Sequence, residues 1–259
     1  MLLIADVGNT HTVLGLWNGK KVVERWRLGT SHISTEDEFM VHVNHFLEFS
    51  QRSFKDVKDL CVASVVPSVN DVFTYFARKY LDKEPIFVTA KGANWIDWNV
   101  RTPQEMGADR VANVIAAKRE FEKDVIVVDF GTAVTLDILS EKYEGGSILI
   151  GPKTSLKALF SNAAKLPTVP EKLPNSAIGK DTPSNIQSGT LLGTAFAIDG
   201  LINAYERELS KKFKVVSTGG EGKMFIGISK RIEKYDPDLT LKGISFYYEE
   251  WKRHESSSR

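Results

Sequence analysis

The sequence lacks most of the features that mark a secreted, membrane-spanning or disordered chain. Its 259 residues include one cysteine, Cys61, so an intrachain disulfide is impossible and a metal site built on several thiolates is excluded. Cys61 stands in the apolar run Leu60-Cys61-Val62-Ala63, the setting of a packing residue rather than a nucleophile. No apolar stretch approaches the ~20 residues of a membrane span, and Asp6 interrupts the N-terminal apolar run before a signal-peptide core can form. The expected location is the cytoplasm, with no membrane partner. An excess of one charge is also missing. Lys and Arg number 34 against 33 Asp and Glu, a formal net charge of +1, which gives no general pull toward nucleic acid. What remains, with 42% hydrophobic and 26% charged residues, is an ordinary folded composition suited to a small soluble ligand.

Several site chemistries are absent as well. No Gly-x-x-x-x-Gly-Lys-Ser/Thr phosphate loop occurs, and no Ser/His/Asp nucleophile motif. The five histidines show no metal-ligand spacing; His42 and His45, three apart, suit a solvated helix face.

The pattern that is present alternates strand and helix, an α/β chain. Leu2 to Val7, Thr12 to Trp17 and Lys21 to Leu28 read as strands, the last two joined by Asn18-Gly19, a hairpin signal. Thr35 with Glu38 predicts a capping box for a helix carrying Phe39, Val43, Phe46 and Leu47. A strand over Leu60 to Val66, a helix over Val69 to Leu81 and a strand over Pro85 to Thr89 follow, then a loop with Trp95 and Trp98 that suits the edge of a core. Gly107 to Phe121 is helical in spacing, Val125 to Phe130 a strand, and Val134 to Ser140 and Gly145 to Ile150 two more. Lys153 to Lys165 and Ser184 to Leu209 read as helices, with a proline-marked loop between them, and Lys214 to Thr218 as a strand.

The second half repeats the first. Asp6-Val7-Gly8-Asn9-Thr10-His11-Thr12 set over Asp129-Phe130-Gly131-Thr132-Ala133-Val134-Thr135 matches Asp, Gly and Thr at one offset of 123 residues (129 − 6). Each block is an apolar strand, a terminal Asp, a Gly turn and a returning strand, which suggests two related halves. Such turns suit phosphate: glycine lets backbone N–H groups approach an anion, Thr or Asn adds donors, and Asp can hold hydrated magnesium. They also suit two plain β-hairpins. Thr218-Gly219-Gly220-Glu221-Gly222 is a Gly-rich turn after a strand, where a base or ribose can lie against backbone or the chain simply reverses. Gly107-Ala108-Asp109-Arg110 places a carboxylate and a guanidinium at a helix start. Asp109 can complement the helix dipole with Arg110 as its ion pair, or accept a proton from a hydroxyl attacking phosphorus while Arg110 grips a carboxylate.

Together, these two Asp-x-Gly turns, Gly107-Ala108-Asp109-Arg110, Gly145-Gly146 and Thr218-Gly219-Gly220 resemble the type III pantothenate kinases, in this order and across nearly the whole chain. That resemblance implies two ribonuclease H-like domains of the acetate and sugar kinase, chaperone ATPase and actin superfamily with the nucleotide between them. The halves would span residues 1–122, carrying the first phosphate segment and the substrate motif, and 123–253, carrying the second phosphate and adenosine segments. A polar tail, 254–259, would follow. It also implies ATP-dependent phosphorylation of pantothenate to 4′-phosphopantothenate, the first step of coenzyme A biosynthesis, by a homodimer that uses ATP with Mg²⁺ and a monovalent cation, K⁺ or NH₄⁺. By the same resemblance Asp6, Val7, Gly8, Asn9, Thr10, His11, Thr12 and Val13 form the first ATP-phosphate segment, and Thr132 contacts ATP from the second. Asp129 holds the monovalent cation. Asp109 is the proton acceptor, Gly107, Ala108, Asp109 and Arg110 touch pantothenate, and Thr182 contacts substrate. Two positions depart from the family pattern: Val100 replaces an aromatic residue, and Ile150 a proline. A phosphohydrolase of the same superfamily and a nucleotide-binding regulator are the rival readings.

Overall fold

One arrangement of five strands is laid down twice along this chain. The computed structural model describes residues 1–121, 124–163 and 166–257. The first sheet contains β1 (Leu2–Val7), β2 (His11–Trp17), β3 (Val22–Gly29), β4 (Asp59–Ser64) and β5 (Ile86–Phe87) in the order β3-β2-β1-β4-β5. The second contains β6 (Val125–Phe130), β7 (Ala133–Leu139), β8 (Tyr143–Ile150), β9 (Lys214–Gly219) and β10 (Lys234–Tyr235) in the order β8-β7-β6-β9-β10. In both, the central strand pairs antiparallel with the strand after it and parallel with the fourth. β1 and β6 also bury the same positions: four residues inside, a half-buried Asp6 or Asp129, then a buried Val7 or Phe130. Pleating sends alternate side chains to opposite faces, so each aspartate sits at its strand's end on the face away from the following apolar residue.

The repeat departs from the sequence match at one point. β1 and β6 are offset by 123 residues, but β2 and β7 by 122 (133 − 11), because three residues separate the first pair of strands and two the second. Thr12 therefore corresponds to Val134, and Thr135 to Val13; the Thr match is out of step with the strands. Both turns close alike, with Gly8 N–H on the carbonyl of His11 at 3.1 Å and Gly131 N–H on that of Ala133 at 2.9 Å.

Helices cover the sheets. α1 (Glu36–Phe49) starts at Thr35, whose hydroxyl accepts from the Glu38 N–H, and buries Phe39, Val43 and Leu47 against β-strand side chains and α2 (Asn70–Phe76). Only half of the expected capping box forms, since the Glu38 carboxylate takes the Thr35 hydroxyl instead of the backbone N–H. Phe46 is half-buried and stacks on Trp26. Each fully buried side chain of this kind contributes about 1.5–3 kcal/mol. α3 (Ala108–Phe121) follows the loop that carries Trp95 and Trp98, both half-buried. α4 (Pro152–Asn162) follows β8, and α5 (Thr182–Gln187) runs through a π turn into α6 (Gly193–Leu209). α4 ends at Asn162 with Ala163 as its cap, short of the expected helix over Lys153 to Lys165, whose last two positions lie outside the described residues.

The chain divides into two compact units, Met1–Glu122 with Glu141–Glu144 and Asp238–Arg259, and Lys123–Ser140 with Gly145–Pro237. This corrects the simple division at 122/123. The last helix, α7 (Leu239–Ser257), packs on α3, β1 and β4 of the first unit. The buried Thr240 hydroxyl donates to Asn113 Oδ1 on α3 at 2.8 Å, and the buried Cys61 thiol of β4 points at the Ile244 carbonyl. The proposed tail is corrected too: residues 254–257 belong to α7, and His254 stacks on Trp95. Positions 258 and 259 lie outside the described residues. Among the described residues no helix is long and apolar enough to cross a membrane.

Candidate active site

In the first unit the Asp6 turn is fixed from below. Thr30 donates its hydroxyl to the Gly8 carbonyl at 2.6 Å and its N–H to the Thr10 carbonyl at 3.1 Å. Thr12 is buried, with its hydroxyl 3.0 Å from that of Thr30. With Gly8 and Thr10 carbonyls held from the protein side, Asn9 and Thr10 stand exposed at the tip. His11 is half-buried with Nδ1 2.8 Å from Arg27, and Val13 lies beside Asp6 across the β1–β2 pair. Of the expected segment, Val7 and Thr12 are interior props, Gly8, Asn9 and Thr10 form the turn, and Asp6, His11 and Val13 stand on the two strands beside it.

The Gly107 motif lies one strand away. The Val65 N–H, just past β4, donates to the Val7 carbonyl at 3.0 Å, and a Cβ built on Gly107 would touch the Val65 side chain at 3.3 Å. Ala108 is buried as α3 begins, and Asp109 follows in its first turn. There the Asp109 carboxylate turns back so that Oδ1 accepts the Arg110 N–H at 2.8 Å and lies under Gly107. Burial pushes its pKa up; the Arg110 N–H and the positive charge of Arg110 oppose this without cancelling it. A carboxylate with a raised pKa, at a helix start one strand from a phosphate-type turn, is a better proton acceptor than an exposed one.

Arg110 shows a contact that the sequence did not suggest. Its Nη2 donates to the phenol oxygen of Tyr143 at 2.7 Å, and Tyr143 is 1% exposed. Tyr143 belongs to the short segment Glu141–Glu144 that counts with the first unit. No local pattern could have paired positions 110 and 143, which only the folded chain brings together.

The second unit carries the other expected residues. Asp129 is the penultimate residue of β6, with Oδ1 close to Gly219, whose φ of +83° lets backbone pass where a Cβ would stand 2.5 Å from that oxygen. Thr132 is exposed, and its carbonyl accepts from Gly151 N–H at 3.0 Å and Thr154 Oγ1 at 2.8 Å, tying the turn to the start of α4. β8 runs unbroken through Ile150, and Pro152 opens α4 at a position that needs no N–H. Thr182, the first residue of α5 after the Asp181 cap, lines a cavity of about 660 Å³ with Ile150, Asn185, Thr190 and Thr194. Among the described residues no three His, Cys, Asp or Glu side chains converge as a metal cluster. Single carboxylates such as Asp6 and Asp129 are hard oxygen donors, the type that an alkali cation or phosphate-bound magnesium takes.

Two sheets of one topology, each with an aspartate near the end of its central strand, define a pair of ribonuclease H-like domains. Solved structures share this fold at low identity. Component A of the (R)-2-hydroxyglutaryl-CoA dehydratase of Acidaminococcus fermentans superposes with a TM-score of 0.56 at 14% identity, covering 97% of this chain and 98% of that one. The inorganic polyphosphate/ATP-glucomannokinase of Arthrobacter sp. strain KM gives 0.51 at 15%, with 98% of both chains covered. The sequence pattern of the type III pantothenate kinases matches residues 2–204, and the type III pantothenate kinase of Kosmotoga olearia is 45% identical over 259 residues, covering 100% of this chain and 99% of its own. The chain belongs to the type III pantothenate kinase family.

Proposed function

We propose that the protein transfers the γ-phosphoryl group of ATP to the 4′-hydroxyl of pantothenate, with Asp109 as the proton acceptor and Arg110 as the anchor of the pantothenate carboxylate. The observation that carries this reading is the buried Asp109 carboxylate, turned back between Gly107 and the Arg110 N–H one strand from the Asp6 turn. As the hydroxyl oxygen bonds to the γ-phosphorus, the bond from that phosphorus to its bridging oxygen breaks, ADP leaves, and the hydroxyl proton passes to Asp109. In a loose transition state the hydroxyl needs orientation first and deprotonation late, so a carboxylate suffices as base. Arg110 offers a planar fork of N–H donors to a carboxylate, which fixes the far end of the substrate.

The Gly8-Asn9-Thr10 turn would cradle phosphate with backbone N–H groups and the Asn9 and Thr10 side chains, over carbonyls already held by Thr30. Bound magnesium and a monovalent cation supply positive charge to the phosphates. Asp6 would hold the former through water, and Asp129 the latter. Thr132 would touch ATP, and Thr182 would reach substrate from the cavity it lines. The exposed Ile148, Ile150, Leu159 and Phe196 of the second unit favour a homodimer, and the working place is the cytoplasm, where ATP and pantothenate meet.

A coupled ADP-release assay tests the reading: turnover depends on added pantothenate, and Asp109→Asn lowers kcat by roughly 10²–10⁴ while ATP affinity stays within about twofold. Unchanged turnover in Asp109→Asn overturns the proton-acceptor role. Replacing potassium by sodium suppresses activity if Asp129 holds the monovalent cation; indifference to the cation overturns that part.

A further inference from the structure

We infer that Tyr143 is a positioning residue for the substrate carboxylate: it aims the Arg110 guanidinium before pantothenate binds. This rests on the reading of Arg110 as the carboxylate anchor. A free arginine side chain samples many rotamers, and a bidentate contact needs its plane set correctly. The phenol oxygen accepts from Arg110 Nη2 at 2.7 Å, which fixes one corner of the fork.

Tyr143 is itself held rigidly. Its ring is 1% exposed and meets the Trp98 ring edge-on, with centroids 5.4 Å apart and planes at 68°. Its N–H donates to the Asp97 carbonyl at 2.9 Å and its carbonyl accepts from the Asn99 N–H at 3.1 Å. The Asn99 side chain closes the strap on Glu144 at 2.9 Å. The phenol thus stands on a backbone bridged to the loop of residues 97–99. A tyrosine kept here only as packing would need no oxygen on its ring. Its oxygen lies instead on the one guanidinium of the substrate motif, and the bond is charge-assisted, of the stronger class. The loop with two tryptophans gains a purpose from this: it clamps the backbone that presents the phenol.

Tyr143→Phe, made in the full chain, removes the oxygen and keeps the ring. The expected result is a rise of roughly tenfold in KM for pantothenate, with kcat and KM for ATP changed by no more than about twofold. The melting temperature should fall by no more than about 10 °C, the loss of one charge-assisted hydrogen bond, with the protein still folded at assay temperature. A double-mutant cycle with Arg110→Gln, read by calorimetric binding of pantothenate, identifies the route. If Tyr143 acts through Arg110, its substitution has no further effect in the Arg110→Gln background. An unchanged pantothenate KM in Tyr143→Phe, an equal loss for ATP and pantothenate, or full additivity in the cycle each overturns the proposal. If Arg110→Gln alone leaves pantothenate binding intact, the anchor reading itself has failed, and with it this one. If Arg110→Gln weakens binding and Tyr143→Phe does not, only the positioning role is lost.

Discussion

A methyl group on Gly107 would stand 2.5 Å from Oδ1 of Asp109, closer than any real Cβ contact. The glycine therefore makes room for the carboxylate of the residue two positions on, rather than serving a special backbone angle; among the described residues its φ is not one of the positive values. Gly107→Ala should push the Asp109 carboxylate off the Arg110 N–H while leaving the core untouched. The expected outcome is a fall in kcat of about 10–100-fold, in keeping with the sensitivity of catalysis to a misplacement of about 1 Å. Thermal stability should change by less than about 1 kcal/mol. Steady-state kinetics with calorimetric unfolding check both halves, and full activity would show that the carboxylate need not lie there.

What the sequence made legible follows from local rules. β1 and β6 announce themselves by apolar runs closed by Asp and Gly, because burial and turn chemistry act over a few residues. The same rules reach Thr35 and the start of α1. The step from 123 to 122 in the repeat was hidden, since strand pairing, not residue identity, sets how Thr12 and Thr135 align. Equally hidden were the return of α7 to the first unit and the pairing of Arg110 with Tyr143. Both are long-range contacts whose two ends carry no mark of each other. Asp109 and Arg110 could be singled out as a pair at a helix start; what buries one and holds the other could not.

The return of α7 makes a second glycine decisive. Gly243 lies so close to Ala112 on α3 that a Cβ would overlap the Ala112 carbonyl and Cα. Backbone on one side and no flexible side chain to yield means that the helices must part. Gly243→Ala should therefore destabilise the protein by about 1–3 kcal/mol. Because α3 begins at Ala108, the same shift should reach Asp109 and lower kcat, whereas a surface substitution on α7 such as Glu250→Ala should do neither. Denaturant unfolding and kinetics on both variants make the comparison; a silent Gly243→Ala would mean that the α3–α7 approach is adjustable.

Cys61 sits fully buried in β4 with its thiol toward the Ile244 carbonyl, and burial drives its pKa far above the ordinary thiol value. The thiolate is the reactive form, so the native protein should be inert to thiol reagents. Ellman-type labelling should give no reaction under native conditions and one thiol per chain in denaturant. Activity should be the same with and without reductant. Fast native labelling would place Cys61 at an opening that the packing of α7 on β4 does not provide.

The Gly-rich turn after β9 carries a pH-sensitive contact of its own. Glu221 accepts the Lys153 N–H in the first turn of α4, whose Gly151 cap offers no side chain, and its carboxyl meets that of Glu171 from the proline-marked loop. One oxygen of each, Glu171 Oε1 and Glu221 Oε2, is buried without a donor, and a proton shared between the two carboxyls supplies one. Burial, and then the Glu171 charge, raise the Glu221 pKa from 4.5 to about 7, against the opposing Lys153 N–H and the Lys153 charge. The folded state therefore holds a proton that the unfolded chain releases near 4.5. The contribution is favourable at low pH, falls as pH rises above 4.5, and levels off above about 7. Glu221→Gln keeps an acceptor for Lys153 and gives Glu171 a donor that does not titrate. Its melting temperature should match the parent's near pH 5 and exceed it at pH 8 by roughly 2–4 °C for about 1 kcal/mol at this chain length. Parallel melting curves for parent and variant across that range would refute the shared proton.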